Sequence, residues 1–424
     1  MKYLPRLLTI LLLVILTSPV WAGGILPYEI GTPEVGTAAA GWAARAQDAA
    51  TAFTNPAGMT RLDRSQWLLG IQPLYGNIQF HTDEATFGGN NGGNAVGWIP
   101  SGGLYGVYSL NPDVKLGFTS AAYFGGPLDY NKNWAGRYFT HTTILEAVNF
   151  SIPLAVRVND WLSVGAGLNI VYSKLKQETA INNSPFGLRS REDGQIKLQD
   201  DEVGYGGNVG ILIEPRAGTR FGLQYLSEVD LNFSDRAQFN GLGPVVEQAL
   251  ARRGLLDSRV KFGVTLPQTV MFSVYHELTE QLAILGNLGW QDWSEFGKAE
   301  VGVSSLDTGS VTVDKHYKDT WHIALGLQYR LSQPWLLTTG IAYDSSPVNN
   351  NNRTASFPED RQIRVGLGAQ YQWDNDITLG LAYEYENLGQ SKIEQTGGPL
   401  KGEIKGDYSN NAIHYFLFNF IQKF

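Results

Sequence analysis

Residue types that could do acid–base, nucleophilic or metal chemistry are few in this chain and poorly spaced for it. There is no cysteine, which removes thiol catalysis, thiolate metal sites, disulfides and a lipidated amino-terminal Cys together. The six histidines, His81, His141, His276, His316, His322 and His414, contain no i, i+4 helical pair of the kind that binds zinc, so no metal site is expected. Glu384 and Glu386 share one face of a strand, yet a solvated interior accounts for both without proton transfer. No cofactor is expected, and the chain reads as a non-enzyme.

Three other groups have physical consequences. In Asn55-Pro56-Ala57 the proline fixes φ and lacks an N–H while the asparagine can cap or turn, so the tripeptide holds a bend or simply links two elements. At Gly125-Gly126-Pro127 a strand ladder must weaken, because Gly adds no packing and Pro no donor; a plain strand end is the alternative. Val245, Val246, Ala249 and Leu250 form an apolar helical stripe opposite Glu247, Gln248, Arg252 and Arg253. That stripe suits either a greasy capture groove, with Arg252 or Arg253 near a ligand carboxylate, or packing on neighbouring loops.

The elements that must position these groups follow from composition and period. With 43% hydrophobic and 17% charged residues the chain has too much apolar surface to stay disordered. Its 32 basic against 40 acidic residues argue against a protein that tracks nucleic-acid phosphates. Lys2 and Arg6, the apolar run from Leu7 to Leu16, and Val20-Trp21-Ala22 before Gly23 read as a cleavable secretory signal over 1–22. Beyond it no apolar run reaches the 18 or so residues of a spanning helix.

Period-two alternation takes the place of such a helix. Trp321, Ile323, Leu325, Leu327, Tyr329 and Leu331 alternate with His322, Ala324, Gly326, Gln328 and Arg330; 161–173, 361–373 and 377–386 do the same. One face is greasy and the other is Gly, Ala or polar, as in strands with lipid outside and a lumen inside. Fourteen strands are expected, from 65–80 and 100–110, through a third at 114–124, to a last at 409–424. Short turns such as Asn111-Pro112-Asp113, Asn159-Asp160 and Asp374-Asn375 alternate with seven longer loops. This is the pattern of an outer-membrane barrel with both termini in the periplasm. Phe416, Phe418, Phe420 and the final Phe424 share a face, as suits a strand ending in an interfacial aromatic girdle.

Fourteen strands leave a lumen that leaks unless filled. The segment 23–64 precedes the first strand and carries an Ala-rich run, 37–52, whose small side chains suit a compact helical plug; a periplasmic tail is the alternative. The fold expected is an all-β membrane protein, a fourteen-stranded antiparallel barrel over 65–424 with an amino-terminal luminal plug.

The stretch from Gly41 through Asn55-Pro56-Ala57 to Leu62 resembles the amino-terminal hatch of the FadL-type outer-membrane transporters of long-chain fatty acids and other hydrophobic compounds. Further similarities run in order along the mature chain: Trp134 to Tyr138, Leu266 to Thr269, Trp290 to Phe296, Asp319 to Trp321, Ala342 to Val348, and Arg353-Thr354. The resemblance implies passive transport of fatty acids or aromatic hydrocarbons, with capture at the extracellular loops and sideways release through the wall near a kink in the third strand. On that basis Asn55, Pro56 and Ala57 are expected at the hatch as gating residues, Gly125, Gly126 and Pro127 at the lateral opening, and Val245, Val246, Ala249, Leu250, Arg252 and Arg253 at ligand capture. The partners expected are a hydrophobic small molecule and outer-membrane lipid or detergent, with no nucleic acid, the protein acting as a monomer. A general hydrophilic porin and a loop-mediated adhesin are the rival readings, since barrel physics alone does not distinguish cargo.

Overall fold

A computed structural model describes Tyr28 and residues 30–184, 192–305 and 310–424; the expected signal at 1–22 lies outside the described residues. In water-soluble sheets the apolar face turns inward, and here the sense is reversed. Along Thr320–Ser332 the exposed residues are Trp321 at 52%, Ile323 at 51% and Leu325 at 65%, while His322 and Ala324 are buried. Lipid is the only solvent in which such a face is stable.

The wall has fourteen staves: β1 (Gln66–Ile71), β2 (Gly102–Ser109), β3 (Val114–Asp129), β4 (Thr142–Arg157), β5 (Leu162–Ile181), β6 (Gly194–Arg216), β7 (Thr219–Leu226), β8 (Thr269–Glu277), β9 (Leu282–Gln291), β10 (Thr320–Ser332), β11 (Trp335–Asp344), β12 (Gln362–Gln372), β13 (Ile377–Asn387) and β14 (Ala412–Lys423). Each pairs antiparallel with the next, and β14 returns to β1 with Phe420 opposite Leu69, which closes the barrel. Leu74–Asn77 and Gly97–Ile99 prolong β1 and β2 past short kinks. Exposed Tyr108, Trp161, Trp335 and Trp373 flank the short turns as an aromatic belt. At the long-loop end, Val229–Arg236, Arg259–Leu266, Lys298–Val303 and Ser310–Asp314 raise a four-stranded sheet above the wall.

The end of the third strand differs from the sequence expectation. β3 does not stop at Phe124 but continues through Gly125-Gly126-Pro127 to Asp129, because β4 keeps pairing with it, Gly126 opposite Leu145 and Pro127 opposite Ile144. The register slips between Ala122 and Phe124, a bulge that turns both Tyr123 and Phe124 into the buried interior.

The segment 30–62 lies against the inner face of the wall, and almost all of it is buried. It is not the single helical piece that the Ala-rich run suggests. Short helical turns at Pro33–Thr37, Thr51–Thr54 and Pro56–Arg61 are joined by bends in which Ala38, Ala39 and Ala46 adopt positive φ. Its backbone approaches the wall so closely that only glycine fits opposite: a Cβ at Gly340 would overlap the Thr37 carbonyl, one at Gly222 the Ala43 carbonyl, and one at Gly366 the Val35 carbonyl. Several of the attachments are neutral hydrogen bonds. Gly41 N–H donates to Asn287 Oδ1 at 2.9 Å, Ala43 N–H to Ser273 Oγ at 2.9 Å, and the Trp42 indole to Gln224 Oε1 at 3.0 Å. Within the segment buried Arg45 binds Glu34 at 2.7 Å and Asp48 at 2.5 Å, and near its end Arg61 pairs with Glu214 of β6.

Two outcomes follow from this packing. A closed ladder with lipid-facing aromatics should give a strand-dominated circular-dichroism spectrum in detergent and a gel band that shifts on boiling; a mainly helical spectrum contradicts the barrel. Gly340→Val should keep the boiling shift but expose 30–62 to trypsin, since overpacking of about 1–3 kcal/mol falls on the seam between segment and wall. Wild-type protection in that variant would mean that the close approach to Thr37 does not hold the segment.

Candidate functional site

The break in the wall comes from the ladders of β3. On one side β3 pairs with β4 along its length, but on the other its last partner in β2 is Gly103, opposite Ala121. From Ala122 to Leu128, among the described residues, no strand meets that edge. The seam rejoins where Asp129 N–H donates to the Ala95 carbonyl at 2.7 Å. Gly125 fits here for two reasons: its φ is +91°, and a Cβ would overlap the Leu145 carbonyl.

A cavity of about 270 Å³ fills the gap. Leu74, Val96, Ile99, Phe124 and Ile413 are among its apolar lining, Gly125, Gly126 and Pro127 form one rim, and Glu359 and Tyr415 bring polar groups. Inward of it stands an aromatic cluster. The Phe124 ring lies 5.1 Å from Phe296 and 5.8 Å from Trp293, and Phe357 lies 5.7 Å from Trp293 and 4.9 Å from Tyr317. The β3 bulge therefore turns into the lumen the side chain that joins this cluster to the gap. A second aromatic line runs down the inner segment, Tyr28 to Trp42 to Phe53 to Tyr105, at 5.9, 5.9 and 6.4 Å.

Beside the aromatics lies a buried polar network. Arg364 Nε donates to Glu386 Oε1 at 2.9 Å, the Tyr415 hydroxyl to Glu386 Oε2 at 2.5 Å, and His322 Nδ1 meets Asp344 Oδ1 at 2.9 Å. This corrects the expectation of a solvated interior around Glu384 and Glu386. Both are fully buried, and Glu386 is charge-paired rather than hydrated. His322 and Asp344 do not extend to a nucleophile, since Nε2 of His322 makes no hydrogen bond. Among the described residues no cluster of metal-ligating side chains occurs.

Asn55-Pro56-Ala57 sits at a junction. The Asn55 Oδ1 caps Ala57 N–H at 3.1 Å, and its Nδ2 donates both to the Ala43 carbonyl at 2.7 Å and to the Ile211 carbonyl of β6 at 3.0 Å. Pro56 opens the following helical turn, where its missing N–H costs nothing. One side chain thus ties two parts of the inner segment to the wall. The stripe at Val245, Val246, Ala249 and Leu250 lies on a helix, Pro244–Ala251, in the long-loop region. Val246 and Leu250 pack on a cluster with Ile181, Ile196, Leu255 and Val260, whereas Val245 is exposed and Ala249 half-buried. Arg252 is exposed and Arg253 half-buried; neither lines the cavity at the gap.

Sequence reasoning gave no role to Trp293, Phe296, Phe357 or Glu359. The first two lie within a stretch that carries the family likeness, and Phe357 and Glu359 follow directly on another. Only the bulge, which is a matter of register, brings Phe124 against Trp293 and Phe296.

A family model described as outer membrane protein transport protein (OMPP1/FadL/TodX) matches residues 13–422. The chain is 27% identical over 430 residues to the long-chain fatty acid transport protein of Escherichia coli strain K12, spanning 92% of this chain and 93% of that one. It is 28% identical over 400 residues to outer membrane protein P1 of Haemophilus influenzae, spanning 84% of each. Among solved structures, a Pseudomonas aeruginosa FadL homologue has a TM-score of 0.85 at 20% identity, with 95% of this chain and 100% of that one covered. The Ralstonia pickettii toluene transporter TbuX has a TM-score of 0.65 at 16% identity, with 90% and 95% covered; at these identities the likeness is one of fold. A closed wall with its greasy face outward and a family match across nearly its whole length lead to one assignment: the chain is an outer-membrane protein and belongs to the outer membrane protein transport protein (OMPP1/FadL/TodX) family.

Proposed function

We propose that this barrel carries hydrophobic molecules passively across the outer membrane, taking them from the long-loop end past the aromatic cluster and releasing them sideways between β2 and β3. The segment 23–64 serves as the hatch, with Asn55-Pro56-Ala57 as its clamp and Gly125-Gly126-Pro127 as the rim of the exit. One observation carries the reading: the unpaired edge of β3 coincides with a mostly apolar cavity of about 270 Å³. Relatives named for long-chain fatty acid and toluene transport suggest acyl chains or aromatic hydrocarbons as cargo.

Energetics favour this route over an axial one. A buried CH₂ is worth about 0.8 kcal/mol, so a long acyl chain released into water gives back on the order of 10 kcal/mol, whereas sideways release keeps it in an apolar medium. The competing exit is a polar space of about 360 Å³ at the short-turn end, lined by Gln47, Arg61, Asp63, Arg330, Gln333 and Lys423. Its lining suits water or small polar solutes and offers an acyl chain little. This is also the opening that a hydrophilic porin would use, and Ala46, Gln47, Arg61 and Leu62 of the inner segment line it.

Filling the gap with Ala122→Trp should slow dodecane or fatty-acid uptake by about tenfold or more, the loss of an apolar path costing at least about 1.4 kcal/mol, while the protein still shifts on boiling. Uptake at the wild-type rate would move the exit elsewhere. Deleting 23–64 behind an intact signal should leave a folded barrel of larger conductance in planar bilayers; an unchanged conductance would return that segment to the periplasm.

A further inference from the structure

The exit cavity has an unusual charge pattern for a path taken by fatty acids. Its described lining includes two carboxyl groups and the Tyr415 phenol but no Lys, Arg or His. Glu359 is at its inner end, 4% exposed, with Oε2 accepting from Gln362 Nε2 at 3.1 Å. Glu146 stands on the outward face of β4, opposite Lys174 of β5 in the ladder, so the cavity runs from one carboxyl inside to the other at its mouth.

We propose that this cavity passes cargo only in uncharged form, with the Glu359 carboxyl as the specificity-determining group that hydrogen-bonds a neutral polar head and turns away carboxylate anions. The inference rests on the sideways exit proposed above and names the chemical class that can use it: hydrocarbons, long-chain alcohols and protonated fatty acids. An ionised head entering an apolar space needs a cation or several donors to replace its water; the lining holds no cation, and its side-chain hydroxyl and amide donors are the neutral Ser101, Asn411 and Tyr415, the last of them spent on Glu386. A carboxylic acid therefore enters with a proton taken from water at the long-loop side.

The surroundings of Glu359 keep it in the matching protonation state. Its own loop supplies Arg353 and Asp360, and the facing groups are Glu386 of β13, Arg364 of β12 and Tyr317. Both arginines are engaged elsewhere: Arg353 donates to the Glu359 main-chain carbonyl at 2.7 Å and to Asp360 at 3.1 Å, and Arg364 donates to Glu386. Burial first, and the nearby Glu386 second, push the Glu359 carboxyl up to about 8. A raised carboxyl binds its proton below that value and releases it above, so at neutral pH Glu359 is a donor and at higher pH an anion. The cavity thus becomes less tolerant of a second negative charge as pH rises.

The test uses the full-length protein in cells that lack other uptake routes. Rates of dodecanoate and dodecanol entry are measured at about pH 6 and pH 9 for wild type, Glu359→Gln and Glu359→Lys, each checked for the boiling shift. The dodecanoate-to-dodecanol ratio at the higher pH should rise about tenfold in Glu359→Gln, the equivalent of one pKa unit of charge repulsion removed, and further in Glu359→Lys. At the lower pH, wild type and Glu359→Gln should have nearly the same ratio. A ratio at high pH that is identical in wild type and Glu359→Gln overturns the proposal, whether or not the lysine variant folds. If dodecanol enters no faster with the protein than without it, the sideways-transport reading fails and takes this inference with it.

Discussion

In hydrocarbon no water satisfies a backbone N–H or C=O, so every residue of this wall depends on its ladder partners. That constraint makes the gap between β2 and β3 informative. A barrel could close there as it does at the β14–β1 seam, where Gln66 to Ile71 find partners without interruption. Instead β3 carries a bulge, two glycines and a proline at its unpaired edge, and the rim is re-anchored by Asp129 N–H on Ala95 and by Gln72 N–H on Ser101 at 2.9 Å. Pro127 brings no N–H to be left unsatisfied. The same bulge places Phe124 against Trp293 and Phe296, so the device that opens the wall also builds the apolar approach to it.

The lumen is governed by a second constraint, the close approach of two backbones. Val35, Thr37 and Ala43 present carbonyls where the wall has Gly366, Gly340 and Gly222, which explains why the luminal face of so many strands reads as glycine. Along 41–43 the inner segment is joined to the wall by neutral hydrogen bonds, each worth about 0.5–1.5 kcal/mol net, and near its end Arg61 pairs with Glu214 of β6. The segment's internal ties, Arg45 with Glu34 and Asp48, are buried ion pairs whose rupture costs about 3–5 kcal/mol. Asn55, which donates to both Ala43 and Ile211, ties two parts of the segment to β6.

The wall was legible in the sequence because a membrane barrel inverts the usual alternation without blurring it: Trp321, Ile323 and Leu325 announce lipid as clearly as His322 and Ala324 announce a lumen. Turn chemistry fixed the short connections for the same local reason. What failed was whatever depends on a partner. The end of β3 was misplaced because Gly and Pro weaken intrinsic strand preference, and only pairing with β4 carries the strand on to Asp129. The run from Thr37 to Ala52 reads as helix by propensity, yet the wall contour bends it at Ala38, Ala39 and Ala46. Glu384 and Glu386 were seen on the lumen face, but their burial depends on Arg364 and Tyr415 from neighbouring strands. Glu359 had no local signal at all, since its position at the gap is set by a loop folding over the barrel mouth.

The claim on which the rest turns is that cargo leaves through the wall between β2 and β3. Its most direct measurement is photo-crosslinking of a diazirine-labelled fatty acid in transit, with adducts mapped by mass spectrometry. The account predicts adducts on Val96, Ile99, Ala122 and Phe124 along the gap. Adducts confined to the polar space at the short-turn end, around Gln47, Arg61 and Gln333, would contradict it and establish an axial path.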